Sequence, residues 1–216
     1  MRNLRPLVAL IMVMAGSLTY AQTTAVSSLG ARISRETGEQ WINNYRKQFN
    51  ITSVHRCSAD MIQEVFRTAD ASGVYLIKGL DNEGNERLIL KAATENGAML
   101  KDSKAVLTVT GNEQSAGYVL DDLMARPMIE KFQQVQKKNE LGGHLYGKKV
   151  FENLLSQPGA TGVYIAKGLD EQGQEHLVLA ALDKNEKVMW TADIWNHGSG
   201  IFLIVYPILM SAVAAR

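Results

Sequence analysis

GVYLIKGLDNEGNERLIL, residues 73–90, and GVYIAKGLDEQGQEHLVL, residues 162–179, are nearly the same passage written twice, 89 positions apart. Across 71–92 and 160–181, 13 of 22 residues are identical, which within one chain marks an internal duplication. Each copy reads as two strands joined by a turn. Residues 73–80 with 86–93, and 162–169 with 175–182, are rich in Val, Ile, Leu and Tyr and have the length of strands. Between them, DNEGNE and DEQGQE supply an Asp that can accept from its own downstream backbone (Asp81, Asp170). They also supply a glycine free to take positive φ (Gly84, Gly173).

The duplication extends backwards from these hairpins. Met61, Ile62, Val65 and Phe66 fall on Val150, Phe151, Leu154 and Leu155, an apolar stripe with helical spacing in both copies. With a two-residue slip, Trp41, Ile42 and Tyr45 fall on Met128, Ile129 and Phe132. The reading is therefore a first helix over 34–48, N-capped by Ser34, with its partner over 121–138. A second helix follows over 58–67, N-capped by Ser58, with its partner over 147–157. A short loop carrying a histidine, His55 or His144, precedes each second helix, and a further strand follows each hairpin near 98–109 and 187–195. The expected fold class is α+β: two pseudo-symmetric αα-ββ(β) repeats, with antiparallel sheets and helices packed on one face. Leu88 and Leu90 are expected inward and Arg87 and Lys91 outward, which implies a sheet with one wet face.

The ends of the chain suggest where it travels. MRNLR followed by PLVALIMVMAGSL and SLTYAQ has the layout of a secretory leader cut after Ala21. Losing Arg2 and Arg5 with the leader turns the net charge from +1 to about −1, so there is no strong field for nucleic acid or for an anionic membrane. The organisation is then a leader (1–21), repeat unit 1 (22–116), repeat unit 2 (117–198) and an apolar tail (199–216). From Gly198 to Ala215 the tail has no charge and is divided by Pro207. It reads either as a buried strand or helix, the favoured reading, or as a short membrane anchor through which membrane contact would run. With Cys57 the sole cysteine, no intramolecular disulfide can form, and its counterpart Tyr146 points to a packed, buried position.

Residues kept in both copies are the ones that could serve a duplicated site. Lys78 and Lys167, Asp81 and Asp170, and Glu86 and Glu175 bracket the hairpin turns, where turn capping and solvated cross-strand charge explain them best. His55 and His144 precede helices whose N-termini favour anions, and two such histidines related by pseudo-symmetry could converge between the repeats. Their spacing to other ligand types matches no zinc motif, and the turns lack the EF-hand spacing, so no metal ligand and no cofactor is assigned. Gly147-Lys148-Lys149 resembles a phosphate-binding helix start but has no lysines at its counterpart, Ser58-Ala59-Asp60.

The pattern H-x-x-G-K-x-x-x-x-x-L-L-x-Q-P-G over 144–159, followed by GVYIAKGLD and LVLAALD, resembles uncharacterised exported proteins of Gram-negative bacteria. The resemblance implies a periplasmic or outer-envelope location and a duplicated α+β unit, and it implies no reaction. Two functions follow as expectations. The first is a non-catalytic envelope protein that binds a protein partner or small ligand, with His55, His144, Lys78 and Lys167 as the candidate ligand-binding residues and no catalytic residue. The alternative is a metal-assisted or histidine-based hydrolase with His55 and His144 in a cleft between the repeats.

Overall fold

The computed structural model describes residues 25–51, 53–101, 103–110, 117–137, 140–190, 194–196 and 199–201. The expected leader lies outside these residues, and so does the tail beyond Ile201. In order, the elements are β1 (Ala31–Ile33), α1 (Arg35–Phe49), β2 (Val54–Ser58), α2 (Ala59–Phe66), β3 (Gly73–Leu80) and β4 (Glu86–Ala93). They continue with β5 (Ala105–Leu107), β6 (Val109–Thr110), β7 (Tyr118–Leu120), α3 (Asp122–Val135), β8 (Gly143–Gly147) and α4 (Lys148–Leu155). The last are β9 (Ala160–Leu169), β10 (Glu175–Asp183), β11 (Ile194–Asn196) and β12 (Ser199–Ile201). The fold is mixed α+β, with four α-helices and two antiparallel sheets among the described residues.

The helices begin where their caps dictate. Ser34 Oγ accepts from Thr37 N at 3.1 Å, and Ser58 Oγ accepts from Met61 N at 3.4 Å, each satisfying a first-turn N–H that has no helical partner. The hairpin turns close as their composition requires. Asp81 Oδ1 accepts from Glu83 N and Asn85 N, Asp170 Oδ1 accepts from Gln172 N and Gln174 N, and Gly84 and Gly173 sit at φ of 84° and 76°.

The two sheets run β1-β11-β10-β9-β2-β6 and β12-β8-β3-β4-β5-β7. Two strands lie away from the hairpin that follows them in sequence. β2 pairs antiparallel with β9, Cys57 opposite Val163, and β8 pairs antiparallel with β3, Tyr146 opposite Val74. Neither hairpin is flanked by the strand that precedes it in the chain. This pairing explains the first glycine of each recurring passage. A Cβ on Gly162 would stand 2.6 Å from the Cys57 carbonyl oxygen, and one on Gly73 would stand 2.8 Å from that of Tyr146. Only glycine lets the visiting strand come this close. The later glycines serve the helices: a Cβ on Gly168 would meet Trp41 of α1 at 2.9 Å, and one on Gly79 would meet Met128 of α3 at 3.3 Å.

Helices cover both faces of the sheets, which corrects the expectation of one helical face. α2 and α4 lie between the sheets, where Ile62, Val65, Val150, Phe151 and Leu154 join inward residues of β3, β4, β9 and β10 in the main core. α1 covers the other face of the first sheet through Trp41, packed on Tyr164, Ala166, Val178 and Ala180. α3 covers the other face of the second through Ala125 and Ile129, packed on Ile77 and Ile89.

Lys91 therefore does not face water. It is fully buried, donating from Nζ to Ser103 O at 2.9 Å and to Asp122 Oδ1 of α3 at 2.6 Å. Burial alone would raise the Asp122 carboxyl, but hydrogen bonds from Lys91 and Arg126 prevail and hold it below the ordinary carboxylate value. Cys57 is buried in the main core, and desolvation pushes its thiol up to about 12, which rules out a thiolate nucleophile near neutral pH.

Candidate functional site

Strand alternation places the candidate residues. On β3, Val74 and Leu76 face the main core, so Lys78, two residues on, points into the same space between the sheets. The same step takes Val163 and Ile165 to Lys167 on β9, and Leu88 and Leu177 back to Glu86 and Glu175 on β4 and β10. On β2 and β8 it takes Cys57 back to His55 and Tyr146 back to His144. The six polar side chains thus form a layer between the sheets, at the end of the strands opposite the starts of α2 and α4.

Within this layer the ion pairs cross from sheet to sheet. Lys78 reaches Glu175 at 2.9 Å and Glu140 at 3.6 Å, and Lys167 reaches Glu86. Both lysines are almost wholly buried, and each ammonium also lies over an aromatic ring, Lys78 at 5.8 Å from Phe132 and Lys167 at 5.9 Å from Tyr45. The glutamates are thus not the solvated cross-strand charges expected from the sequence. They neutralise lysines on the opposite sheet. Each lysine is the natural partner for an acid because an unpaired buried charge costs several kcal/mol.

The histidines are in strands, not in loops, and their rings are buried, which corrects the expectation of an anion-facing position before a helix. Burial, reinforced for His55 by Lys167 and Arg87 and for His144 by Lys78, His176 and Lys167, lowers both to about 3. Both are neutral at physiological pH. His55 Nδ1 shares a hydrogen bond with Thr108 Oγ1 at 3.0 Å, and its Nε2 lies 3.5 Å from Ser53 Oγ. His144 Nε2, in contrast, is buried without a hydrogen-bond partner.

The reason is a glycine. Ser53 and Gly142 hold the same place in the two strand pairings, their carbonyls accepting from Lys167 N and Lys78 N respectively. The hydroxyl that serves His55 is absent where His144 needs one. Replacing Gly142 with Ser is accordingly expected to stabilise the protein by about 1 kcal/mol. Urea unfolding of the variant measures this, and an unchanged or lowered midpoint would contradict it.

The structure thus gathers the four residues singled out from the sequence, His55, His144, Lys78 and Lys167, and engages both lysines and His55 with protein partners. Among the described residues no group of three or more His, Cys, Asp or Glu is arranged to hold a metal ion. The Gly147-Lys148-Lys149 start is covered: Gly147 N donates to Leu29 O and Lys148 N donates to Ser72 O, and the carbonyls of Val26 and Ser27 crowd Gly147. Two of the N–H groups that a phosphate would need are thus already engaged.

A different surface was missed from sequence. Leu123 and Met124 in the first turn of α3 are 80% and 62% exposed, and Tyr118, on the α3 side of the neighbouring edge strand β7, is exposed as well. Beside them runs a groove of about 540 Å³ walled by Leu80, Leu107, Leu120, Met124, Pro127 and Met128, with Asp81, Asn82 and Lys131 at its rim. The signal was present in the alignment of the two first helices. In the register that matches Trp41 with Met128, Leu123, Met124 and Pro127 fall on Glu36, Thr37 and Gln40. One copy has the polar exterior of an ordinary surface helix, and the other has an apolar one.

No protein-family model matches the chain, and neither a curated protein nor a solved structure matches it. Among the described residues no helix is long and apolar enough to cross a membrane.

Proposed function

We propose that this is a non-catalytic binding protein of the bacterial envelope, built from a duplicated, pseudo-symmetric α+β unit whose copies exchange β2 and β8, and that it binds a partner through the apolar face of α3 and β7. The duplication is supported by the recurring sequence, by the equivalent places of β2 and β8 in the two strand orders, and by the reciprocal pairing of Lys78 with Glu175 and Lys167 with Glu86. Envelope location rests on the leader-like N-terminus and on the sequence resemblance.

The observation that carries the binding reading is the exposed cluster Tyr118, Leu123 and Met124 beside an apolar groove. Scattered exposed apolar residues are ordinary, but a contiguous patch next to a concavity marks an interaction surface. Its restriction to one copy separates it from the shared scaffold. Against the hydrolase alternative stand the histidines themselves. A base whose conjugate acid lies near 3 takes a proton poorly, and rings only 1% and 3% exposed offer a substrate no approach.

The test is capture from the native envelope with wild type and with Leu123→Glu/Met124→Glu. Recovery of bound species is expected to fall at least tenfold for the variant while its unfolding midpoint stays unchanged. Equal recovery would remove the reading.

A further inference from the structure

We infer that the partner of the α3 face is held as an added β-strand: an extended segment of another protein, apolar at alternate positions, that pairs with β7 beside Leu123 and Met124. The inference rests on the reading of that face as a binding surface and names the form in which the partner comes.

The first ground is an open backbone edge. Among the described residues β7 is the last strand of its sheet. Thr108 N donates to Leu88 O at 3.0 Å, continuing the register that sets Leu107 opposite Ile89 and Val106 opposite Leu90. Residues along an antiparallel strand bond alternately to one neighbour and to the other. Thr108 and Val106 therefore address β4, while Leu107 and Ala105 address their opposites on β7, Tyr118 and Leu120. Val119, between those two, turns its N–H and C=O out of the sheet. An outward pair of this kind is a template for a further strand.

The second ground is that the equivalent edge is guarded and this one is not. In the register that matches Trp41 with Met128, β1 falls on β7, and each is the outer strand beside β11 or β5. Arg32 of β1 holds the place of Val119 and lies over Trp195, 5.5 Å from the ring centroid. Charge on an edge strand discourages pairing, and β7, with the sequence YVL, carries none.

The third ground is chemistry. Directly opposite residues of paired strands share a face, so those of an added strand opposite Tyr118 and Leu120 would stand on the α3 side, near Met124 and the groove. The charges around this place already have partners within the chain. Lys104 pairs with Asp121, Arg126 pairs with Asp122, and Lys131 Nζ donates to Asp81 O at 2.8 Å. The surface therefore suits uncharged, apolar side chains. A second copy suits it less well, because two-fold pairing through β7 sets the same patch against itself, groove facing groove. A single strand brings side chains to fill it.

Capture from the native envelope with full-length wild type, Val119→Pro and Val119→Leu tests this. Proline removes the outward N–H and leaves the ladder bonds to β5 in place, whereas leucine changes the side chain alone. Recovery of the bound protein is expected to fall at least tenfold for Val119→Pro and to stay within about twofold of wild type for Val119→Leu. A photo-crosslinking residue in place of Tyr118 is expected to join that protein within a segment apolar at every second position. Should proline lower the unfolding midpoint, Val119→Arg, which gives β7 the guard that Arg32 gives β1, replaces it with the same expected loss. Equal losses for Val119→Pro and Val119→Leu would mean side-chain contact alone and overturn the inference. An adduct with lipid, with a second copy or within the same chain would overturn it as well. Full recovery by Val119→Pro with loss by Leu123→Glu/Met124→Glu would overturn strand addition and leave the α3 face a binding surface. Full recovery by every variant would overturn both.

Discussion

Lowering the pH from 7 to 5 is expected to remove about 4 kcal/mol of folding stability, most of it through two histidines. In the folded protein His55 and His144 bind a proton only near pH 3, whereas in the unfolded chain they bind one near 6.5. The unfolded state therefore takes up protons first. Stability is complete above about pH 6.5 and drains as the pH falls towards 3, at about 1.4 kcal/mol per pH unit for each histidine. Asp81, held to about 2 by its Asn85 and Arg87 hydrogen bonds against the effect of burial, and Asp122, Asp170 and Asp183, also held low, lose their contribution only below about pH 4. The interval from 6.5 to 4 thus reports the histidines. Urea unfolding at half-unit pH steps measures it. His144→Leu and His55→Leu should each halve the slope, and a wild-type stability that stays flat between pH 7 and 5 would show that the rings are not buried as described.

The second large effect concerns the charges between the sheets. Glu86→Gln is expected to cost about 3 kcal/mol, because it leaves the Lys167 ammonium buried with no acid in contact; the partial exposure of the Glu86 carboxylate keeps the figure at the low end for a buried pair. Glu175→Gln should cost less, since Lys78 keeps Glu140 at 3.6 Å. Replacing both members of the first pair, as Lys167→Met with Glu86→Leu, should recover most of the loss, because the desolvation of both charges disappears with them. The order of these three variants in urea unfolding at pH 7 is the readout. If Glu86→Gln proves milder than Glu175→Gln, the pairing is other than described.

Much of the local structure was legible because it is set by neighbours in sequence. The first hairpin strands, Gly73–Leu80 and Glu86–Ala93, match the expected ranges, and Ser34 and Ser58 cap the helices they were expected to cap. Long-range partners were not legible. β2, with the sequence VHRCS, reads as a loop from sequence because its inward residues are His55 and Cys57 and its alternation is not written in aliphatic residues. Lys91 reads as solvated from sequence because its acid, Asp122, lies 31 residues away on a helix whose position over the sheet no local pattern reveals.

The site divides the same way. Retention in both copies singles out His55, His144, Lys78 and Lys167, but identity could not show that the lysines and His55 are occupied by protein partners. The apolar face of α3 needed the opposite comparison, of positions where the copies differ. Where two passages of a sequence recur, a retained residue speaks first for the fold, as Gly73, Gly79, Lys78 and Asp81 each do.

The crossed positions of β2 and β8 also set an order of assembly. Cys57 must wait for Val163, about a hundred residues later in synthesis, before its strand has a neighbour on that side. A growing chain therefore holds an unfinished sheet edge and a buried-type thiol open to its surroundings until the second hairpin has emerged. Contacts of such sequence separation make for slow folding. They also make the nascent first half the stage at which this protein most needs protection from pairing with another copy of itself.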